Sequence, residues 1–107
     1  TIDYNKKQID GSLDDVLPMG DLKAKFLAFD WHVIEVLKGN DIQSIINALS
    51  QAREISGNGK PIVILLHTEM GNGVDFMMGT HKWHGSAPND EQLKEALLQN
   101  TETLGDY

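Results

Sequence analysis

The sequence predicts an α/β domain, a three-layer arrangement with a mainly parallel sheet and flanking helices, on three observations. Residues 61–68, PIVILLHT, are a continuous apolar run of the kind a strand covered on both faces requires. Strand patterns alternate with whole helical patterns along the chain, and strands separated by helices pair in parallel through right-handed crossovers. Residues 71–90, GNGVDFMMGTHKWHGSAPND, form a long loop between the apolar strand and the last helix, holding four of the ten glycines and two of the four histidines. Such a loop is where an α/β domain places its ligand, because a mobile segment is held there by a rigid scaffold.

Taken in order, Ile2 and Tyr4 alternate with Thr1 and Asp3 as at the end of a strand. A strand opening at the first residue suggests that the chain is part of something larger. Residues 5–11, NKKQIDG, are polar and close on Asp-Gly, a turn dipeptide. Residues 12–20 contain Pro18 and no clear period, so they are expected to be irregular or a single helical turn. Asp21 caps a short helix in which Leu22, Phe26 and Phe29 recur at helical spacing.

Residues 31–38 place Trp31, Val33, Glu35 and Leu37 on one face and His32, Ile34, Val36 and Lys38 on the other, which reads as an interior strand. Asp41 caps the next helix, running to about Ser56, with Ile42, Ile45, Ile46, Leu49, Ala52 and Arg53 following the helical rule. Gly57-Asn58-Gly59 ends it as a left-handed cap. After the loop, Asn89 or Asp90 caps a helix expected to bury Leu93, Ala96, Leu97 and Asn100, and residues 101–107 are expected to fray. Three parallel strands make a thin sheet, with an apolar edge that another segment should cover.

Composition narrows the function. At 107 residues the chain is at most one domain, and 40% hydrophobic with 23% charged residues describes an ordinary globular protein. A net charge of -7 argues against nucleic acid and anionic membrane as partners. The absence of cysteine excludes a disulfide framework, a thiolate zinc site and a cysteine nucleophile, and fits a cytoplasmic protein. No apolar run reaches the length of a membrane span.

Two places can carry chemistry. His81-Lys82-Trp83-His84-Gly85 is the densest cluster, and histidine can shuttle a proton near neutrality or bind phosphate when charged. Its spacing also permits zinc, but no third ligand lies nearby; the plainer alternative has Trp83 anchored on the core and both histidines in water. Asn5 offers a hard amide oxygen just after a strand end, suited to magnesium, although asparagine there also serves simply as a turn former. His32 reads as a structural histidine and His67 is ambiguous. Gly71-x-Gly73 lacks both the P-loop lysine and the dinucleotide-fold spacing.

Three segments together resemble the cofactor-diphosphate domain of transketolase, in particular the N-terminal subunit of its split, two-gene form. They are Asp3-Tyr4-Asn5 to Asp10-Gly11, Trp31 to Ile34 followed by Gly39-Asn40-Asp41, and His81 to Asn89, and the likeness is collinear over nearly the whole chain. The resemblance implies an enzyme moving a two-carbon ketol unit between sugar phosphates with thiamine diphosphate and magnesium, in the pentose phosphate pathway. It also implies that Asn5 binds the metal through its side chain and helps hold the cofactor. Lys7 falls where a backbone carbonyl completes the metal site, and a carbonyl role tolerates its unusual side chain. His84 falls where the family places a histidine beside the diphosphate and substrate.

The departures shape the expectation. The family's Gly-Asp-Gly segment, with the other metal-binding Asp, lies upstream of the Asn-bearing turn, and only four residues precede Asn5 here. The early substrate-binding histidines and the pyrimidine-binding domain are also absent from these residues. Residues 1–107 therefore read as a partial cofactor domain of a transketolase, active within an oligomeric assembly that supplies the missing segments or subunit; the isolated chain is expected to be inactive. Two other functions stay open: a non-catalytic fragment or interaction module pairing through its sheet edge, and a small phosphate- or metal-binding domain using His81 and His84.

Overall fold

A computed structural model describes residues 1–100. Three strands form the main sheet: β1 (Ile2–Asp3), β4 (His32–Val36) and β5 (Ile62–Leu66), in the order β1-β5-β4 and all parallel. The expected α/β layering is present. The strand order corrects one expectation, since residues 32–36 form an edge of this sheet and the central position belongs to β5. The reason is apolar content: β5 has buried residues on both faces, whereas β4 carries the exposed Glu35 and is followed by Leu37, 75% exposed.

Alternate residues of a strand face opposite sides of the sheet, and the two faces are covered by different helices. Ile34, Val36 and Ile64 pack with Ala48 of α3 (Ile42–Glu54), joined by Ala52 and Ile55. Val33 and Glu35 point the other way, toward α2 (Leu22–Ala28), whose Lys23 reaches Glu35 and whose Phe26 ring stands 5.2 Å from Trp31. Val63 and Leu65, 3% and 2% exposed, occupy the centre. Burying Leu65 alone contributes roughly 2 kcal/mol by area.

The apolar stripe of α3 is rotated from the one its spacing predicts. Ile45, Ala48, Ala52 and Ile55 face the sheet, while Ile42, Ile46 and Leu49 are 69%, 49% and 53% exposed. A small residue at the buried centre of the contact, Ala48, lets the helix lie close to the strands. The last helix, α4 (Asp90–Gln99), departs in the same way: Ala96 is buried, but Leu93 and Leu97 are 47% and 63% exposed.

Local signals set the helix starts. The carboxylates of Asp21 and Asp41 accept the N–H groups of Ala24 and Ser44, each at 2.8 Å. Asn89 and Gln92 make a reciprocal capping box at α4. Such caps are worth about 1 kcal/mol each. Gly57 and Gly59 both take left-handed φ values after α3, as expected. The polar stretch after β1 is more ordered than expected, for β2 (Lys7–Gln8) and β3 (Gly11–Ser12) pair as a small antiparallel hairpin around Ile9-Asp10. The turn of helix α1 (Leu13–Val16) follows it. The expected fraying of residues 101–107 lies outside the described residues.

Candidate functional site at the carboxyl ends of the strands

Because β1, β4 and β5 run the same way, their carboxyl ends open onto one edge of the sheet. A cleft of about 580 Å³ lies there. Ligands of open α/β sheets bind in this position, outside the strand ends. Each strand contributes one arm.

The first arm leaves β1. The Tyr4 amide donates to the Leu66 carbonyl at 2.8 Å, and the chain then turns sharply. Asn5 Oδ1 accepts the Lys7 N–H at 2.8 Å, and Lys6 takes a left-handed conformation with φ 58°. An L-residue adopts that conformation at a cost of about 1 kcal/mol. The Lys6 ammonium stands 5.7 Å from the centre of the Tyr4 ring, and the Lys6 carbonyl accepts the Leu13 amide at 3.0 Å. Asn5 is thus a turn former, and its amide oxygen still has a second lone pair.

The second arm follows β4. Gly39 donates its N–H to the His67 carbonyl at 2.8 Å, and a Cβ on Gly39 would stand 2.6 Å from that same oxygen. Only glycine permits this approach of two backbones. Asn40 Oδ1 accepts the Glu69 N–H at 2.7 Å, tying the β4 exit to the β5 exit. Asp41 caps α3, and the Ser44 hydroxyl, then the Ser44 N–H, hold its carboxyl below the usual range.

The third arm follows β5. His67 Nε2 lies 2.9 Å from Glu35 Oε1, and Lys23 Nζ donates to Glu35 Oε2 at 2.8 Å. The Lys23 bond first, then His67, lowers the Glu35 carboxyl; Glu35 in turn raises Lys23. The His67 ring meets Tyr4 edge-on at 5.4 Å. The Thr68 hydroxyl donates to the Asp3 carboxylate. Glu69 Oε1 accepts the Gly79 N–H at 2.8 Å and so folds the glycine-rich loop back on the strand end.

The cleft suits an anion. Lys6, Lys7 and Lys38 border it against Asp41 and Glu69, whose carboxylates are already engaged. A diphosphate fits this charge balance. For a hard cation the chain offers the free lone pair of Asn5 Oδ1 and the Lys7 carbonyl; an octahedral magnesium takes its other ligands from the diphosphate, water or other residues.

The predicted site residues are thus only partly brought together. Asn5 and Lys7 line the cleft, whereas His84 does not. His84 ends a short 3-10 turn, Lys82–His84, and is exposed; His81 is half-buried and its carbonyl accepts the His84 amide at 3.1 Å. Trp83 anchors on the loop itself, its Nε1–H donating to the Phe76 carbonyl at 3.0 Å and its ring 5.3 Å from Phe76. Among the described residues no three of His, Cys, Asp and Glu gather around a point that can hold a metal, so the His81/His84 pair has no third ligand there. Reading the sequence missed Glu35–His67 and Asn40–Glu69, partners 32 and 29 residues apart that leave no local signal.

Known proteins share this arrangement. The family described as the thiamine diphosphate binding domain of transketolase matches residues 1–102. An apulose-4-phosphate transketolase subunit from Phocaeicola vulgatus is 35% identical over 104 residues, covering 96% of this chain and 36% of that protein. A 6-deoxy-6-sulfo-D-fructose transketolase subunit from a Clostridium species is 37% identical, covering 91% and 34%. A crystal structure of a Pichia stipitis transketolase with sedoheptulose-7-phosphate superposes with a TM-score of 0.79 at 31% identity, over 91% of this chain and 14% of that one. The chain spans about a third of the length of the curated subunits it matches. With its parallel sheet, its cleft at the strand ends and these relatives, the chain belongs to the transketolase family, in its thiamine-diphosphate-binding domain.

Proposed function

We propose that this chain is the diphosphate-holding part of a transketolase that transfers a two-carbon ketol unit between sugar phosphates, using thiamine diphosphate and magnesium. The observation that carries the reading is the cleft at the ends of all three parallel strands, with Asn5 on its rim in a domain of this family. Thiamine diphosphate supplies the carbanion stabilisation that the transfer of a ketol unit requires. Asn5 offers its side-chain oxygen to the metal and Lys7 its carbonyl. The lysines of the cleft balance the phosphate charge.

His84 is the residue we assign to the cofactor and substrate side. Gly85 beside it has open space around its α-carbon, which leaves the backbone approachable by a bulky anion. The pyrimidine-binding part and the remaining metal ligand come from segments or a companion subunit outside these residues, in an oligomer. The relatives from Phocaeicola vulgatus and Clostridium, each named as one subunit of a transketolase, support that division. We place the assembly in the cytoplasm and in pentose phosphate metabolism.

Reconstitution tests the proposal. The 107-residue chain should bind no thiamine diphosphate measurably by calorimetry, since it supplies only part of the metal's ligands. Combined with its companion segments, it should bind the cofactor in a magnesium-dependent way and catalyse ketol transfer between sugar phosphates. Cofactor-independent behaviour of the complete assembly would overturn the reading.

A further inference from the structure

A connected row of side chains crosses all three strands, with His67, Tyr4 and Lys6 lining the cleft and Glu35 and Lys23 continuing the row away from it. Lys23 Nζ bonds Glu35 Oε2 at 2.8 Å, and Glu35 Oε1 meets His67 Nε2 at 2.9 Å. The His67 ring stands edge-on to Tyr4 at 5.4 Å, and Tyr4 lies beneath the Lys6 ammonium at 5.7 Å. Glu35 belongs to β4, His67 follows β5 and Tyr4 follows β1. The row ends at the strained residue, Lys6, between Asn5 and Lys7.

We propose that His67 is a positioning residue that holds the Tyr4-Asn5-Lys6-Lys7 turn in shape, so that Asn5 presents its amide oxygen to the cleft. The Glu35 carboxylate fixes one side of the imidazole, and Lys23 fixes that carboxylate from α2. The His67 backbone is locked as well, its N–H on the Val36 carbonyl at 2.9 Å and its carbonyl accepting the Gly39 N–H at 2.8 Å. The ring therefore cannot swing away from Tyr4 without giving up its bond to Glu35. Held in this way, it presents a fixed surface to the Tyr4 ring, and the Tyr4 ring supports the left-handed Lys6 through its ammonium. Lys6 in that conformation is what brings the Lys7 N–H onto Asn5 Oδ1 at 2.8 Å. His67 touches neither Asn5 nor Lys7 in this scheme and acts on them through Tyr4.

The consequence for the site rests on the proposed function. Groups that orient a metal ligand from behind, when removed, lower metal affinity by about 10- to 100-fold without taking away the ligand atom. His67 should therefore govern retention of the metal and its diphosphate, and leave turnover unchanged once both are saturating.

The experiment follows the Lys7 amide by hydrogen exchange in the cofactor-free protein, in wild type and in His67→Leu, Glu35→Ala and Glu35→Gln. The first two should exchange the Lys7 amide about tenfold faster while the β5 amides of Ile64 and Leu65 keep their wild-type rates. Glu35→Gln retains an acceptor for His67 Nε2 and should keep the Lys7 amide protected. If His67→Leu fails to fold, the contrast between the two Glu35 variants decides alone. Wild-type exchange at Lys7 in Glu35→Ala, or equal acceleration at Lys7, Ile64 and Leu65, would overturn the proposal. In the reconstituted assembly His67→Leu and Glu35→Ala should raise the cofactor concentration for half-saturation about tenfold with kcat unchanged, and Glu35→Gln should leave it near the wild-type value; a fall in kcat at saturation counts against the positioning role. Absence of cofactor binding in the wild-type assembly would instead defeat the functional reading and leave the exchange result to judge this one.

Discussion

The cleft floor and the His81–Asn89 segment make opposite uses of the chain. At the cleft floor, backbone and side chain cross-link three strand ends: Tyr4 to Leu66, Gly39 to His67, Asn40 to Glu69, Glu35 to His67. The His81–Asn89 segment is held by the Phe76–Trp83 contact and by its own short turn, with His84, Gly85 and Ser86 exposed. One region is therefore cross-linked between distant segments and the other is held only locally. The chain shapes the cleft by itself, while the histidine we assign to the chemistry is exposed.

The largest effect expected from breaking this contrast is at Gly39. In Gly39→Val, the Cβ meets the His67 carbonyl carbon and oxygen at 2.7 and 2.6 Å, and backbone atoms cannot swing aside as a side chain can. We expect a loss of about 3 kcal/mol or more, read as a lower denaturation midpoint. Gly85→Ala, at a glycine of the other region with open surroundings, should leave the midpoint within about 0.5 kcal/mol. Equal losses would remove the distinction between a cross-linked floor and an outward loop.

Next in size is the kinetic contrast in the assembled enzyme. His84→Ala should lower kcat about a hundredfold, as removal of a positioned acid-base group does, and His81→Ala should cost much less. Equal kinetic effects, or a bound-state structure with His81 on the cofactor and His84 in water, would reverse the assignment. On the cleft side, Asn5→Ala removes the oxygen we assign to the metal and should weaken metal retention by about tenfold or more, whereas Lys7→Ala leaves its carbonyl in place. Metal titration of the two variants checks the asymmetry. Equal losses would mean that the Lys7 side chain acts on the phosphate.

The smallest effect is electrostatic. The Lys23 and His67 hydrogen bonds hold Glu35 below the ordinary carboxylate range. A carboxylate whose pKa is lower folded than unfolded adds stability above its unfolded value and loses it as pH falls through the folded one. Thermal midpoints should therefore show a Glu35 contribution that is complete at neutral pH and fades below about pH 5. Glu35→Gln should flatten that part of the acid limb. Because Lys23 is 47% exposed and Glu35 26%, the effect should be small and shrink further in high salt. An acid limb identical in the variant would show that Glu35 contributes nothing.

Much of the cleft's framework is legible in the sequence, and the parts that are not have a common cause. The position of Asn5 at a strand end can be read locally, because an amide after a β pattern is a short-range signal. His67 stays ambiguous because its partner, Glu35, is 32 residues away and belongs to another strand. Glu69 carries no signal of its own, since the group that bonds its amide, Asn40, comes from the other strand exit. The tightness of Gly39 is hidden for the same reason, its close neighbour being a backbone carbonyl from a distant residue.

The order of residues alone was enough for the helix starts at Asp21, at Asp41 and at Asn89 or Asp90, the left-handed glycines after α3 and the strand within residues 61–68. Each depends on groups within a few positions of one another, such as a cap bonding an N–H three residues on. Packing was needed to make β5 central and β4 an edge, to turn Ala48 instead of Leu49 of α3 to the sheet, and to bury Ala96 of α4 while its leucines stay exposed. Separation along the chain explains the division. An apolar spacing narrows the face of a helix to about one residue in either direction, and the final rotation is set by how closely helix and sheet can approach, through contacts between segments far apart in the chain.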